Sequence, residues 1–213
     1  MNTLILDFVN VVADLDLKNI VKNLTLKQKF SALRIYLAMK SNKEFNAIFD
    51  DYQKGFFDAK SLQNLVHQHY PHSSYIIPIL LEVLSNNIIV NEQVLHYVEA
   101  IKEKGVQVLL MSNSTSETEL VMEKFNLNKI FDGIILSTEI KSIKPENEIF
   151  KHAISTYNLE NEKTIMIDDT KKNLQKAESF GIQAIQSKSS EETCEILDAY
   201  LTYLDIYKSQ NLI

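Results

Sequence analysis

The chain has one cysteine, three prolines, four glycines and no tryptophan among 213 residues. The single cysteine, Cys194, excludes an intrachain disulfide. It falls in a helical pattern with no basic neighbour to favour a thiolate, so it is expected to be inert. No glycine-rich phosphate loop is present, which removes nucleotide-motor and dinucleotide readings. The first residues, Met-Asn-Thr-Leu-Ile-Leu, carry no basic flank, and Asp7 cuts the apolar run. They do not read as a signal peptide. Long apolar runs are also missing. The most apolar stretch, Tyr75 to Leu84, is too short to span a bilayer and contains Pro78 and Glu82. It could touch a partner, and packing within the chain is the plainer reading. The formal net charge is −6 with no basic block to offset it, which argues against nonspecific nucleic-acid binding. A cytoplasmic chain with neither membrane nor nucleic acid as partner is expected.

What is present is ordinary for a folded protein: 45% hydrophobic and 23% charged residues. The length suits one domain, or one domain with a sizeable insertion. Five short aliphatic runs read as buried parallel strands: Thr3–Leu6, Val106–Met111, Gly133–Leu136, Lys163–Ile167 and Ile182–Ile185. Helical patterns lie between them. Asn91 can cap a helix with Val94, Val98 and Ile101 inward, ended by Gly105. A second helix is expected to start at Pro145 and to turn Phe150 and Ala153 inward. A third carries Leu174, Ala177 and Phe180. The last opens with a Ser189-x-x-Glu192 capping box and carries Leu197, Tyr200, Leu201 and Leu204. This alternation predicts an α/β fold, a Rossmann-like parallel sheet covered on both faces.

Residues 14–88 break the alternation. They show helical patterns and no convincing strand. Phe30, Leu33 and Leu37 fit one helix, Phe45, Ile48, Phe49 and Tyr52 another, and Leu62, Leu65 and Val66 a third. We read this stretch as a helical insertion after the first strand.

Four segments carry chemistry. Asp7 ends the first strand, at the edge where open α/β sheets bind ligands, and could attack phosphorus. Ser112 and Asn113 end the second, where a hydroxyl and turn amides can hold phosphate oxygens. Lys144 precedes Pro145, and its ammonium would neutralise phosphate and nucleophile together. Asp168 and Asp169 end the fourth strand. Such a pair is costly to bring near Asp7 without a cation, and a hard divalent ion accepts these oxygen ligands. Each residue alone is commonplace. Their occurrence together, each at a strand end, is what points to magnesium-assisted phosphoryl transfer.

The same residues resemble the four motifs of the haloacid dehalogenase (HAD) superfamily, over the whole chain. Asp7 matches its nucleophile, Ser112 its second-motif hydroxyl, Lys144 in Lys-Pro-x-x-x-Ile-Phe its lysine, and Asp168-Asp169 its acid pair. The resemblance implies a core of residues 1–13 plus 89–213 with strand order 5-4-1-2-3, and a helical cap of the first subclass over 14–88. Gln53-Lys54-Gly55-Phe56-Phe57-Asp58 resembles the loop between cap helices. It also implies Mg2+ held by Asp7, the Val9 backbone oxygen and Asp169, with Asp168 alongside. The implied activity is phosphatase action on a small phosphorylated metabolite, by a monomer or homodimer.

One departure matters. Phosphatases of this family usually carry Asp-x-Asp in the first motif, and here the run is Asp7-Phe8-Val9-Asn10-Val11. A sugar-phosphatase-like subgroup reads Asp-x-Gly-Asn-Val, which Asn10-Val11 resembles. Losing the second acid removes a general acid worth roughly 10²–10⁴ in rate. A degenerate, binding-only member is therefore the alternative. Carbon–halogen hydrolysis needs no metal, and the acid pair argues against it. A signalling receiver would carry its acid pair after the first strand, not the fourth. His67, His69 and His72 lack the spacing of a zinc site.

Overall fold

A computed structural model describes residues 2–210, with side chains through residue 206. The strands are β1 (Thr3–Leu6), β2 (Ala13–Leu15), β3 (Ile88–Val90), β4 (Gln107–Ser112), β5 (Gly133–Leu136), β6 (Thr164–Asp168) and β7 (Gln183–Gln186). The first helices are α1 (Leu17–Asn23), α2 (Leu26–Ser41), α3 (Lys43–Gln53), α4 (Ala59–His69) and α5 (Ile76–Asn86). Then come α6 (Glu92–Glu103), α7 (Ser116–Lys124), α8 (Leu127–Ile130), α9 (Ser137–Ile140), α10 (Asn147–Tyr157), α11 (Lys171–Ser179) and α12 (Ser190–Gln210).

Five strands form one sheet in the order β5-β4-β1-β6-β7, and every neighbouring pair is parallel. Counted within this sheet alone and read from the other edge, the order is the expected 5-4-1-2-3. Side chains alternate across a strand. Leu4 and Leu6 therefore join one core with Val108, Leu110, Val94 and Leu197. Ile5 points the other way, into a second core with Leu109, Met166, Phe150 and Ala177. Both faces are filled, so β1 is buried throughout, and each such Leu or Ile contributes on the order of 1.5–3 kcal/mol.

The helices follow their local signals. Asn91 Oδ1 accepts from the amides of Gln93 and Val94 at the start of α6, and Gly105 follows that helix at φ +79°, a conformation glycine adopts freely. Ser189 Oγ accepts from Glu192 N, and Glu192 reaches back to Lys188 N. One expectation about the helices needs correction. The helix expected from Pro145 starts at Asn147, with Glu146 extended at its N-cap. Pro145 itself follows a cis peptide bond and lies in a turn.

The segment between β2 and β3 holds α1 to α5 around a third core centred on Phe45, Leu62, Val66 and Ile76. The run from Tyr75 packs here, with Ile76 and Ile77 buried. Strands flank the segment where none was expected. β2 and β3 pair antiparallel, Ala13 against Val90. Three-residue strands show too little alternation to be read from sequence. α2 contains Phe30, Leu33 and Leu37, the residues expected in one helix, and turns a different face inward. Its buried residues are Ser31, Ile35 and Ala38, whereas Phe30, Leu33 and Leu37 are exposed.

Candidate active site

Parallel pairing carries the C-terminal ends of β1, β4 and β6 to one edge. Asp7 follows the buried β1 directly, and its amide donates to Ile167 O at 2.9 Å, extending the pairing with β6. The chain then turns sharply. Phe8 O accepts from Val12 N and Ala13 N, both at 2.9 Å, and Asn10 adopts φ +65°. Asparagine tolerates that left-handed region better than most residues. The switch point of the sheet lies between β1 and β6, where such folds bind ligands.

Lys144 reaches this edge from the loop before α10. Its side chain is 1% exposed, and its ammonium donates to Asp7 Oδ1 at 2.7 Å, Asp168 Oδ2 at 2.8 Å and Met111 O at 2.8 Å. Its three N–H groups thus have three acceptors. Burial alone would lower its pKa, and the charges of Asp7 and Asp168 outweigh that, holding it above the ordinary lysine value. Asp7 is pushed up to about 6, first by burial, then by the charge of Asp168, against the opposing pull of Lys144. Its hydrogen bonds, from Lys144 and from Phe8 N at 2.7 Å, both fall on Oδ1.

The acid pair divides into two environments. Asp168 is fully buried. Besides Lys144, it accepts from Asn173 Nδ2 at 2.9 and 3.1 Å and from Thr170 N at 2.8 Å. Asp169 is half-buried and accepts from Asn10 Nδ2 and Thr170 Oγ1, each at 2.9 Å. Carboxylate oxygens of Asp7, Asp168 and Asp169 lie within 4.8 Å of one another. Three converging carboxylates on a hard-oxygen site fit a divalent cation such as magnesium.

The remaining expected residues are placed differently. Ser112 ends β4 and is buried. Asn113 clamps the Lys144 backbone: its Oδ1 accepts from Lys144 N at 2.7 Å and its Nδ2 donates to Lys144 O at 3.0 Å. Val9 is half-buried and packs against the first core. Two positioning residues, Asn10 and Asn173, were not singled out for a role in the sequence. Asn10 sits in the first motif and Asn173 five residues after Asp168, but their bonds depend on a turn and a helix start that spacing does not give.

The helical segment meets this edge through the loop after α3. Lys54 Nζ pairs with Glu146 Oε1 at 2.7 Å. Ser137 Oγ donates to Gln53 O at 2.6 Å, and Lys141 Nζ donates to Gly55 O at 2.8 Å. Tyr52 Oη donates to Glu117 Oε2 at 2.6 Å. Every one of these contacts is polar.

This fold and site define a parallel α/β protein with a carboxylate-lysine cluster at the switch point of its sheet. A family model of the haloacid dehalogenase-like hydrolases matches residues 6–186, and the chain belongs to that family. It is 29% identical over 97 residues to a phosphorylated carbohydrates phosphatase of Thermotoga maritima, covering 45% of this chain and 44% of that one. It is 22% identical over 118 residues to the pyrophosphatase PpaX of Halalkalibacterium halodurans, covering 55% and 49%. Each match thus spans less than half of the curated relative. Among solved structures, a predicted HAD-like family hydrolase from Porphyromonas gingivalis superposes with a TM-score of 0.74 at 18% identity, over 94% of this chain and 98% of that one. The magnesium complex of a HAD family enzyme from Bacteroides thetaiotaomicron gives a TM-score of 0.67 at 22% identity, over 89% and 94%.

Proposed function

We propose that the chain is a magnesium-dependent phosphatase of small phosphorylated metabolites, with Asp7 as nucleophile. The observation that carries this reading is the Lys144 ammonium held between Asp7 and Asp168, with Asp169 beside them. Asp7 Oδ2 accepts no hydrogen bond among the described residues, so it is the oxygen free to attack. It forms a bond to phosphorus while the bond to the leaving oxygen breaks, and that oxygen departs with the electron pair. Water then hydrolyses the aspartyl-phosphate, releasing phosphate and restoring the carboxylate. Lys144 orients Asp7 through Oδ1 and offsets charge at the reacting centre. Ser112, with the turn amides that follow it, would receive phosphate oxygens. Asn113 sets the position of Lys144.

A magnesium ion held by Asp7, Asp169 and the Val9 carbonyl oxygen would neutralise phosphate charge. Asp168 is saturated by Lys144, Asn173 and Thr170. We therefore assign Asp169 the direct contact and Asp168 the placing of Lys144. We read α1 to α5 as the cap over this edge. The phosphatase names of the two curated relatives support a phosphorylated substrate and leave its identity open.

Val9 favours a second reading, a member that binds phosphate without turning it over. A panel of phosphorylated metabolites, assayed with and without magnesium, separates the two. Turnover that needs magnesium and disappears in Asp7→Asn supports the phosphatase. It should favour acyl or aryl phosphates, whose leaving groups need little protonation. Phosphate binding without turnover, in wild type and Val9→Asp alike, supports the silent member.

A further inference from the structure

Helix α2 has two apolar faces and one of them is bare. Leu26, Phe30, Leu33 and Leu37 are 71%, 64%, 52% and 55% exposed. Their spacings of four, three and four keep them in one line along the helix. The neighbouring α1 adds Leu17 and Val21, 61% and 53% exposed. With Tyr36, seven of the thirteen exposed large apolar side chains among the described residues lie between positions 17 and 37.

The charge of the same stretch is of one sign. Residues 17–43 hold seven cations (Lys18, Lys22, Lys27, Lys29, Arg34, Lys40 and Lys43) and no acid, in a chain of 22 basic and 28 acidic residues. No two of these cations are adjacent, so no basic block shows in the sequence. Folding collects them. At 100° per residue, Lys27 and Arg34 fall on one flank of the apolar line, and Lys29 and Lys40 on the other. Ring contacts agree. Lys27 and Arg34 lie over Tyr75 and Tyr70, at 5.3 and 5.4 Å. Lys40 lies over Tyr36 at 5.5 Å.

We propose, in departure from the expectation of no membrane partner, that this face lies on the surface of an anionic lipid bilayer. The apolar line would enter the boundary between headgroups and acyl chains, and the flanking cations would meet lipid phosphates and carboxylates. No helix among the described residues is long and apolar enough to cross a membrane, and lying on one requires no such helix. A symmetric second copy fits poorly, because a two-fold interface sets each patch against itself, cations against cations with no acid between. Nucleic acid would use the cations and leave the apolar line without a role. An exposed apolar line flanked by charge of a single sign suits a uniformly anionic surface.

The test is co-sedimentation of the purified protein with vesicles of phosphatidylcholine, alone or mixed with phosphatidylserine. Pelleting is expected with the mixed vesicles only, and should weaken as salt rises. Phe30→Ser with Leu33→Ser, and separately Lys27→Glu with Arg34→Glu, should each lower affinity roughly tenfold or more. Phe30 and Leu33 are exposed, so the Ser variant should keep its melting temperature, while the Glu variant, which also loses the ring contacts of Lys27 and Arg34, should stay folded with a melting temperature lower by a few degrees at most. No pelleting with anionic vesicles overturns the proposal. So does pelleting that both double variants retain. A solution mass of a dimer that becomes monomeric in Phe30→Ser/Leu33→Ser assigns the face to a second copy instead. Oligonucleotide binding that survives that variant, with vesicle binding absent, assigns it to nucleic acid.

Discussion

At the sheet edge the charged groups are buried and answer one another; in the helical segment they are solvated and apolar groups stand in the open. Lys144 is 1% exposed with three acceptors in reach, while Phe30 on α2 is 64% exposed. The difference follows from what each region has to bury. The sheet is covered on both faces, so a charge at its end must be neutralised within the fold or be unaffordable. The helices of α1 to α5 enclose one small core, and their outer faces are free to carry residues that folding does not need.

Lys144→Met tests the sheet side most severely. It leaves Asp7 and Asp168 facing each other without a cation. Breaking a buried pair this way should cost about 3–5 kcal/mol, and turnover should vanish with it. Urea unfolding measures the first and the phosphatase assay the second. A loss below about 1 kcal/mol, typical of exposed pairs, would show that the network is far wetter than its geometry implies.

Two phenylalanines sharpen the contrast inside the helical segment. Phe45 is fully buried and meets the rings of Phe49 and Tyr70 at 5.5 and 4.9 Å. Phe45→Ala should cost about 3–5 kcal/mol. Phe30→Ser should change stability by no more than about 0.5 kcal/mol. Equal costs in thermal unfolding would mean that the α2 face is covered in solution.

Asp7 gives the sheet edge a pH signature in the presence of a chelator. Its folded pKa, about 6, lies above the ordinary 3.8. The folded state therefore binds the extra proton, and this group's contribution to stability falls as pH rises from about 4 to about 6. Asp7→Asn removes that slope. Its stability relative to wild type should rise across the same interval and then level off. Parallel pH profiles for the two proteins would place Asp7 in a more polar setting.

The two regions were unequally legible before the structure. Parallel strands announce themselves as short apolar runs that stop at a polar residue, so β1, β4, β5, β6 and the edge strand β7, which is not buried, could be placed within a residue or two. Their order then brings Asp7, Lys144, Asp168 and Asp169 together. The helical segment hides its orientation. Phe30, Leu33 and Leu37 have the spacing of a core face, yet Ile35 and Ala38 have it too, and periodicity alone cannot say which face turns inward. β2 and β3 are too short to alternate visibly. Asn113 looks like a ligand-facing residue from its place after Ser112, but only the path of the loop before α10 shows that its amide holds the Lys144 backbone. Asn10 and Asn173 work through a left-handed turn and a helix start, which residue types alone do not reveal.

Gly55 joins the two regions. It lies at φ +68°, and a Cβ there would come within 3.1 Å of Thr138 O and 3.2 Å of Thr138 Cα. Gly55→Ala should therefore cost about 1–2 kcal/mol from backbone strain alone and should loosen the loop from Lys141. Faster amide exchange in residues 53–58, with the sheet amides unchanged, is the expected pattern. A uniform change across both regions would mean that they open as one unit.

The smallest effect is expected at the Lys54–Glu146 pair, the ionic counterpart of the Lys144 network on the surface. Burial tends to raise the pKa of Glu146, but hydrogen bonds from Lys54, Ser142 and the Ile143 amide outweigh it, and the net result is a pKa below the ordinary 4.5. A carboxylate lowered in the folded state adds stability that is complete above its unfolded pKa and fades as pH falls through the folded one. Glu146 is 42% exposed, so solvent screens the pair, and Glu146→Gln should cost at most about 1 kcal/mol near neutral pH. The difference between variant and wild type should be flat above pH 4.5, shrink below it, and weaken with salt at every pH. Because the pair joins the α3 loop to the turn before α10, the cost should appear chiefly as faster exchange in that loop. A cost that persists in acid would show that Glu146 acts through its position at the start of α10 rather than through its charge.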